Sequence, residues 1–170
     1  MKNTTLFKGN VVDLAGKFVA AGDEAPDFAL SKADLSTFKL ADANGKRLLL
    51  NIFPSVDTPV CSRSVRRFNE MASQMENTLI LCISKDLPFA QSRFCGGEGI
   101  RNVVMLSDFM YDSKFGKDYG VLMSDGPLRG LLARAVVIID TTGRILYAEK
   151  SSDIVNEPDY QCALNILANN

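Results

Sequence analysis

Apolar residues follow two different periods along the chain, and each period predicts a type of element. The runs RLLLNIF (47–53) and TLILCIS (78–84) are almost continuously apolar, which is the pattern of central strands covered on both faces. Residues 59–76 predict a helix, because apolar side chains recur there at spacings of four and three. The stripe consists of Cys61, Val65, Phe68, Ala72 and Met75.

Turn residues and shorter runs extend the predicted order. Gly9-Asn10 separates two loosely alternating segments and predicts an N-terminal β-hairpin over about residues 3–18. Short strands are expected near Phe28–Leu30 and in NVVML (102–106). A short helix is expected from Pro88 to Phe94, with Gly96 and Gly97 breaking it.

The last third of the chain predicts a hairpin followed by a helix. ARAVVIID (133–140) and GRILYAEK (143–150) flank a glycine-containing turn, and Pro158 is expected in the first turn of a terminal helix. Strands and helices in this order predict an α/β thioredoxin-like fold, with a mixed central sheet, helices on both faces and the added N-terminal β-hairpin. With 170 residues, we expect one domain spanning 1–170.

Composition narrows the choice of partners. Nineteen basic and 20 acidic side chains give a net charge of -1, so we expect neither nucleic acid nor an anionic membrane as a partner. The longest apolar runs are strand-sized, and the start MKNTTLFKGNVVDL has no continuous apolar segment of the secretory type. We therefore expect a cytoplasmic protein, in which a disulfide is more often catalytic than structural.

The absence of histidine excludes several chemistries. Ser-His-Asp and Cys-His catalysis and His-ligated metal sites are impossible without it. The cysteines, at 61, 82, 95 and 162, show no C-x-x-C spacing, which argues against a zinc ribbon and a thioredoxin-type dithiol. GGEG (96–99) lacks the Lys-Ser/Thr and the preceding strand of a phosphate loop. We expect no metal and no cofactor.

The loop PSVDTPVC (54–61) offers a way to activate a thiol without histidine. Thr58 is a favoured N-cap and Pro59 a favoured first helical residue, so Cys61 falls in the first turn of the helix. Unpaired backbone N–H groups and the positive end of the helix dipole favour a thiolate there. Pro54 and Pro59 would stiffen the loop. The alternative is that Cys61 is an inert core residue, because free cysteines are commonly buried.

Several segments resemble one known family. The P-x-x-x-T-x-x-C spacing of PSVDTPVC resembles the active-site signature of peroxiredoxins. NIFPSVDTPVC, LCISKDLPFAQSRFC, DGPLRGLLARAVVIID and EPDYQCAL are similar to the thiol peroxidase branch, the atypical two-cysteine type, over nearly the whole chain. The resemblance implies an antioxidant enzyme that reduces hydrogen peroxide and organic hydroperoxides. It further implies reduction by thioredoxin and a homodimer.

The same resemblance assigns roles to residues. It makes Cys61 the peroxidatic nucleophile and Cys95 the resolving cysteine, joined in turnover by a Cys61–Cys95 disulfide. Thr58 would hydrogen-bond the thiolate and the peroxide oxygen, because a hydroxyl donates and accepts at once. Arg134 would stabilise both the thiolate and the departing oxygen through charge-assisted hydrogen bonds. Pro54 would shield the sulfur from water.

From the residues alone, each of these roles has an ordinary alternative. An arginine before a β-branched strand is usually a surface charge, and Arg134 is no better a candidate than the other arginines considered. Those are Arg63, Arg66, Arg67 and Arg129. Cys95 can be a packing residue at a helix end, although the glycines after it would let the helix unwind. For the disulfide to form, we expect the helix ends 59–66 and 89–96 to rearrange.

The remaining cysteines and the function also have alternatives. Cys82 is expected to be a small buried residue of a central strand, and Cys162 a packing residue rather than a free thiol at the surface. Arg63, Arg66 and Arg67 are expected on a solvated helix face. A redox-sensing binding protein would need the disulfide only as a switch, and a thioredoxin-like dithiol carrier is disfavoured by the missing C-x-x-C.

Overall fold

The computed structural model describes residues 2–170, and its strands and helices follow the order that the sequence predicts. The strands are β1 (Thr4–Phe7), β2 (Asn10–Ala15), β3 (Ala29–Ser31), β4 (Thr37–Lys39), β5 (Arg47–Ile52), β6 (Thr78–Ser84), β7 (Val104–Ser107), β8 (Leu122–Met123), β9 (Ala135–Ile139) and β10 (Ile145–Lys150). The α-helices are α1 (Pro59–Met71), α2 (Pro88–Glu98), α3 (Phe115–Asp118) and α4 (Tyr160–Ala168). Short 3-10 turns occupy Leu40–Ala43 and Ala72–Gln74.

The main sheet is mixed, as expected. Its seven strands have the order β10-β9-β5-β6-β7-β3-β4, with β5, β6 and β7 parallel and β9 antiparallel to β5. A second sheet has the order β1-β2-β8, and its first two strands form the predicted N-terminal hairpin. These features confirm the thioredoxin-like fold with an added hairpin.

Strand β5 is apolar almost throughout because both of its faces are covered. Leu50 and Ile52 pack in one core cluster with Phe115 of α3, whereas Leu49 packs in another with Phe68 of α1. Successive side chains of a strand point to opposite faces, so a strand between two helical layers needs apolar residues on both. Helices on both faces of the sheet are therefore confirmed. Within residues 2–170, no helix has the length and apolar character needed to cross a membrane.

Three predicted helix boundaries differ from the structure. Helix α2 continues through Gly96 and Gly97 to Glu98 and ends at Gly99, whose φ of 67° is left-handed. Glycine lowers helix stability by only about 1 kcal/mol, whereas a left-handed residue ends a helix outright. Pro158 precedes α4 rather than lying in its first turn, and the cap is Asp159. The first helix ends at Met71 and tightens into the 3-10 turn.

Candidate active site

Helix α1 begins as its sequence predicts and carries Cys61 in its first turn. Thr58 is the N-cap with extended backbone, and its Oγ1 accepts a hydrogen bond from the Cys61 N–H at 3.4 Å. Pro59 is the first helical residue. The Cys61 side chain is completely buried and packs in the core cluster that contains Phe68. The start of a helix is the positive end of its dipole.

Arg134 reaches Cys61 from a distant part of the sequence. In the antiparallel pair of β5 and β9, Ile52 lies opposite Ala135, so Arg134 emerges where the loop to α1 begins. Its Nη2 donates to the Cys61 Sγ at 3.2 Å, and its Nε donates to the Ile154 carbonyl at 2.9 Å. Arg134 is 1% exposed, so a permanent cation is held against the sulfur with little solvent screening.

The other terminal nitrogen of the Arg134 guanidinium, Nη1, makes no hydrogen bond to the sulfur. Within the described part of the chain, Nη1 is buried and has no hydrogen-bond partner. A buried donor without a partner is costly, so such groups need an explanation. Nη1 belongs to the same guanidinium whose Nη2 touches the sulfur, so a donor without a partner lies close to Cys61.

Pro54 and Thr58 lie in the loop between β5 and α1, as the sequence places them. Pro54 is buried directly after Phe53. The Thr58 hydroxyl donates to the Ser55 carbonyl at 3.2 Å while accepting from the Cys61 N–H. A hydroxyl has one donor and two acceptor positions, so donation to the sulfur requires release of Ser55.

Cys95 lies in the last turns of α2 and is half-buried. It packs on the hydrophobic cluster that contains Cys61 and Met105, and both cysteines are free thiols. Burial raises the pKa of Cys95. The two thiols therefore share a core cluster, but a guanidinium donates to the sulfur of Cys61, whereas the surroundings of Cys95 favour the neutral thiol.

Of the other two cysteines, Cys82 is a buried residue of a central strand, as the sequence predicts. Cys82 is fully buried in β6, where Asn51 Nδ2 contacts its sulfur at 3.6 Å and burial raises its pKa to about 12. Cys162 is half-buried in the first turn of α4, with its N–H donating to Asp159 at 2.8 Å.

Two exposed ion pairs connect α2 to the segment around Cys61. Arg93 of α2 lies 3.2 Å from Asp57, and Arg66 of α1 lies 3.0 Å from Glu98. Exposed pairs of this kind contribute little stability individually. The other arginines that the sequence left open, Arg63, Arg67 and Arg129, have exposed side chains.

A polar network at the end of β6 was missed by the sequence analysis. Asp86 accepts hydrogen bonds from Ser55 and Val56 of the loop before α1. Ser84 and the buried Gln91 join the same network from β6 and α2. The available signal was the polar SKD that ends an apolar strand, because loops after neighbouring parallel strands meet at one edge of a sheet.

A thioredoxin-like sheet that holds a helix-start cysteine against a buried arginine defines a thiol-based redox protein. Residues 20–164 match the model of the Redoxin family, so the chain belongs to this family.

Relatives specify the branch of the family. The chain is 48% identical to the thiol peroxidase of Corynebacterium glutamicum, over 96% of this chain and 98% of the relative. It is 50% identical to the thiol peroxidase of Mycobacterium bovis, over 94% and 95%. The crystal structure of a peroxiredoxin-like protein from Aquifex aeolicus superimposes with a TM-score of 0.93 at 39% identity, covering 99% of this chain and 98% of that chain. The protein is a peroxidase-type oxidoreductase of the thiol peroxidase branch.

Proposed function

We propose that this protein reduces hydrogen peroxide and organic hydroperoxides through a cycle of two cysteines in one chain. The Cys61 thiolate attacks one peroxide oxygen, the O–O bond breaks, and the other oxygen leaves as water or alcohol after taking up a proton. Cys61 is left as a sulfenic acid. The Cys95 thiol then attacks the sulfenic sulfur, which releases water and forms the Cys61–Cys95 disulfide.

The contact between Arg134 and Cys61 carries this proposal. Nη2 lies 3.2 Å from the sulfur in a buried site, and Nη1 lacks a partner among the described residues. During the attack, negative charge moves from sulfur to the departing oxygen. A fork-shaped cation can stabilise both atoms at once, and arginine keeps its charge at neutral pH.

Thr58 and Pro54 have supporting roles in the proposed reaction. The second acceptor position of the Thr58 hydroxyl is available to the peroxide O–H, and a rotated hydroxyl can donate to the thiolate. Pro54 lies buried beside the site and restricts water, which would otherwise screen the contact between Arg134 and Cys61.

Resolution requires part of the structure to open. Cys95 is half-buried in α2, and Cys61 is completely buried in the first turn of α1. A disulfide needs Cα atoms about 4.4–6.8 Å apart with suitably directed Cβ atoms. We propose that the helix ends 59–66 and 89–96 rearrange for this step, with Gly96 and Gly97 easing the unwinding of α2.

Regeneration of the thiols requires an external dithiol, and we propose thioredoxin for this role. The thioredoxin dithiol exchanges with the Cys61–Cys95 disulfide and leaves both cysteines reduced. Because the relatives are named thiol peroxidases, a sensor that is oxidised once is the weaker alternative. A dithiol carrier would also require a C-x-x-C motif, which this chain lacks.

We propose that the protein acts in the cytoplasm as a homodimer. Exposed apolar side chains follow the adjacent ends of β6 and β7, and such side chains support self-association. They are Leu87, Phe89, Phe109, Met110 and Tyr111. Sedimentation of the wild type and of a Phe89→Glu, Tyr111→Glu variant tests this: a dimer that becomes a monomer supports the assignment, and an unchanged state contradicts it.

A thiol count with peptide mapping, before and after one equivalent of an organic hydroperoxide, tests the cycle. Loss of two thiols and a cross-linked peptide joining Cys61 to Cys95 is the expected result. Cys61 oxidised to sulfenic or sulfinic acid beside a free Cys95 would contradict the resolving role. An unmodified Cys61 would contradict the peroxidatic role. Turnover with thioredoxin and its reductase then separates an enzyme from a sensor.

A further inference from the structure

The carboxylate of Asp86 is built into the loop that precedes Cys61. Its Oδ1 accepts from the Ser55 hydroxyl at 2.7 Å, and its Oδ2 accepts from the Val56 N–H at 2.9 Å. Oδ2 also accepts from the Ser84 hydroxyl at 2.6 Å. Three donors thus converge on one carboxylate, and such bonds are stronger than those between neutral groups.

From Ser55, backbone and side-chain hydrogen bonds lead directly to Cys61. The Ser55 carbonyl accepts from the Thr58 N–H and from the Thr58 hydroxyl, both at 3.2 Å. The Thr58 hydroxyl accepts from the Cys61 N–H. The N-cap of α1 therefore takes its geometry from a loop that Asp86 holds from just beyond the end of β6.

The same carboxylate is connected to the helix that carries Cys95. Ser84 accepts from Gln91 Nε2 at 3.1 Å while donating to Asp86. Gln91 is completely buried, and its Nε2 also donates to the Leu106 carbonyl at 2.9 Å. Gln91 precedes Cys95 by four residues, so the two side chains lie on one face of α2.

We propose that Asp86 is a positioning residue that holds the Cys61 loop in its reactive geometry and joins this loop to the base of α2. The inference rests on the proposed roles of Cys61 and Cys95. Asp86 acts through Ser55 and Thr58 and touches neither the sulfur nor the peroxide. Its removal misaligns Cys61 and Arg134, and small misalignments of reacting groups slow reactions strongly.

Asp86→Asn is the primary variant because it keeps the shape of the side chain. An amide has only one acceptor oxygen. It therefore cannot accept the hydrogen bond of the Ser55 hydroxyl on one atom and those of the Val56 N–H and the Ser84 hydroxyl on the other, as the carboxylate does. We expect the second-order rate constant for Cys61 oxidation by peroxide to fall about tenfold or more. Amide hydrogen exchange of residues 55–61 and of the start of α2 should accelerate.

A double-mutant cycle with Ser55→Ala tests the route of the effect. If Asp86 acts through Ser55, the double variant should be little slower than Asp86→Asn alone, because the two losses are not additive. Ser55→Ala also serves as the milder variant should Asp86→Asn fold poorly. Full additivity, or an unchanged rate in both single variants, would overturn the proposal.

Asp140→Asn is the matched control. Asp140 accepts three comparable bonds, from Thr142 N, Thr142 Oγ1 and Arg144 N, in the β9–β10 turn at the other end of the sheet. The Asp140→Asn variant should have a lower melting temperature, but its rate of Cys61 oxidation should stay within about twofold of wild type, because no hydrogen bond of Asp140 reaches the Cys61 loop. If Asp86→Asn and Asp140→Asn had equal rates of Cys61 oxidation, Asp86 would contribute only to stability, and the proposed positioning role would be wrong. If Cys61 of the wild type did not react with peroxide, the proposed function would be wrong together with this inference.

Discussion

The ends of the two helices that carry Cys61 and Cys95 are built in opposite ways. The start of α1 is capped by Thr58, stiffened by Pro59 and packed into the core. The end of α2 has exposed glycines, and its cysteine is only half-buried. The start of α1 fixes the position of its sulfur atom, whereas the exposed end of α2 suits the rearrangement that we propose for Cys95.

The comparison also separates burial from activation. Burial raises the pKa of both Cys82 and Cys95, which keeps those thiols protonated and weakly nucleophilic. Cys61 is as buried as Cys82, yet a guanidinium donates to its sulfur. A cationic partner, rather than exposure or burial, distinguishes the proposed nucleophile from these two cysteines.

The largest change in rate is expected when serine replaces the cysteine at the start of α1 or the cysteine near the end of α2. Cys61→Ser should lower peroxide consumption at least about a thousandfold, because an unactivated hydroxyl is a far weaker nucleophile. Cys95→Ser should keep oxidation of the first thiol within about twofold but lose thioredoxin-linked turnover, because in the proposed cycle only the second step uses this thiol. Rapid-mixing measurements of each step provide the readout. If the first step slowed to a similar extent in both variants, the proposed assignment of Cys61 as the peroxidatic cysteine and Cys95 as the resolving cysteine would be wrong.

Removal of the cation should come next in size. Arg134→Met keeps much of the side-chain volume and should slow Cys61 oxidation by about a hundredfold or more, as loss of a preorganised donor does elsewhere. Arg134→Lys retains the positive charge but not the two terminal nitrogens of the guanidinium, so its rate of Cys61 oxidation should lie between those of Arg134→Met and wild type. A rate for Arg134→Met within about threefold of wild type, at an unchanged melting temperature, would refute the role of Arg134.

Stiffening the end of α2 should affect only the second step. Gly96 and Gly97 lie within the helix, and the space that a Cβ would occupy is open at both, so alanine fits at either position. Each replacement should stabilise the helix by about 0.5–1 kcal/mol. Unwinding then becomes harder, and for the double variant disulfide formation should slow by about tenfold, which corresponds to about 1.4 kcal/mol, with the first oxidation unchanged.

Gly99→Ala provides the control for this experiment because its expected effect is opposite. Gly99 has a left-handed φ of 67°, so alanine strains the end of α2 and should not slow the disulfide. Quenched-flow trapping of free thiols measures the rate. If the double alanine variant forms the disulfide as fast as wild type, the proposed unwinding is wrong.

The last prediction concerns the free energy of unfolding at high pH rather than the rate of a reaction step. The pKa of Cys82 is about 12 in the fold against 9.0 for an unperturbed thiol, so above pH 9 the unfolded chain releases a proton that the fold keeps. Cys82 then lowers the free energy of unfolding by about 1.4 kcal/mol per pH unit up to about pH 12. Below pH 9 this dependence is absent.

Urea unfolding of wild type and Cys82→Ala at about pH 8, 9 and 10, under reducing conditions, measures this difference. The variant should decline less steeply between about pH 9 and 10. Ile80→Val, which removes buried volume from the same strand without a titrating group, should retain the wild-type slope. Parallel slopes for wild type and Cys82→Ala would contradict the assigned cause.

Much of the fold could be predicted because its signals are local. The apolar runs of β5 and β6 and the stripe of α1 follow from burial on two faces and on one face respectively. The end of α2 was mispredicted because Gly96 and Gly97 continue the helix, and only Gly99 turns left-handed. Composition alone does not distinguish these two uses of glycine.

The sequence by itself determined the capped helix start, because Thr58, Pro59 and Cys61 are neighbours whose geometry depends on local backbone hydrogen bonds. The residues by themselves left the choice of arginine open, and the family resemblance pointed to Arg134. The tertiary structure supplies the physical reason, because Arg134 lies 73 residues away and reaches the sulfur through the pairing of β5 with β9. The Asp86 contacts likewise depend on adjacent ends of parallel strands. Contacts between distant segments are set by packing and register, which no local pattern encodes.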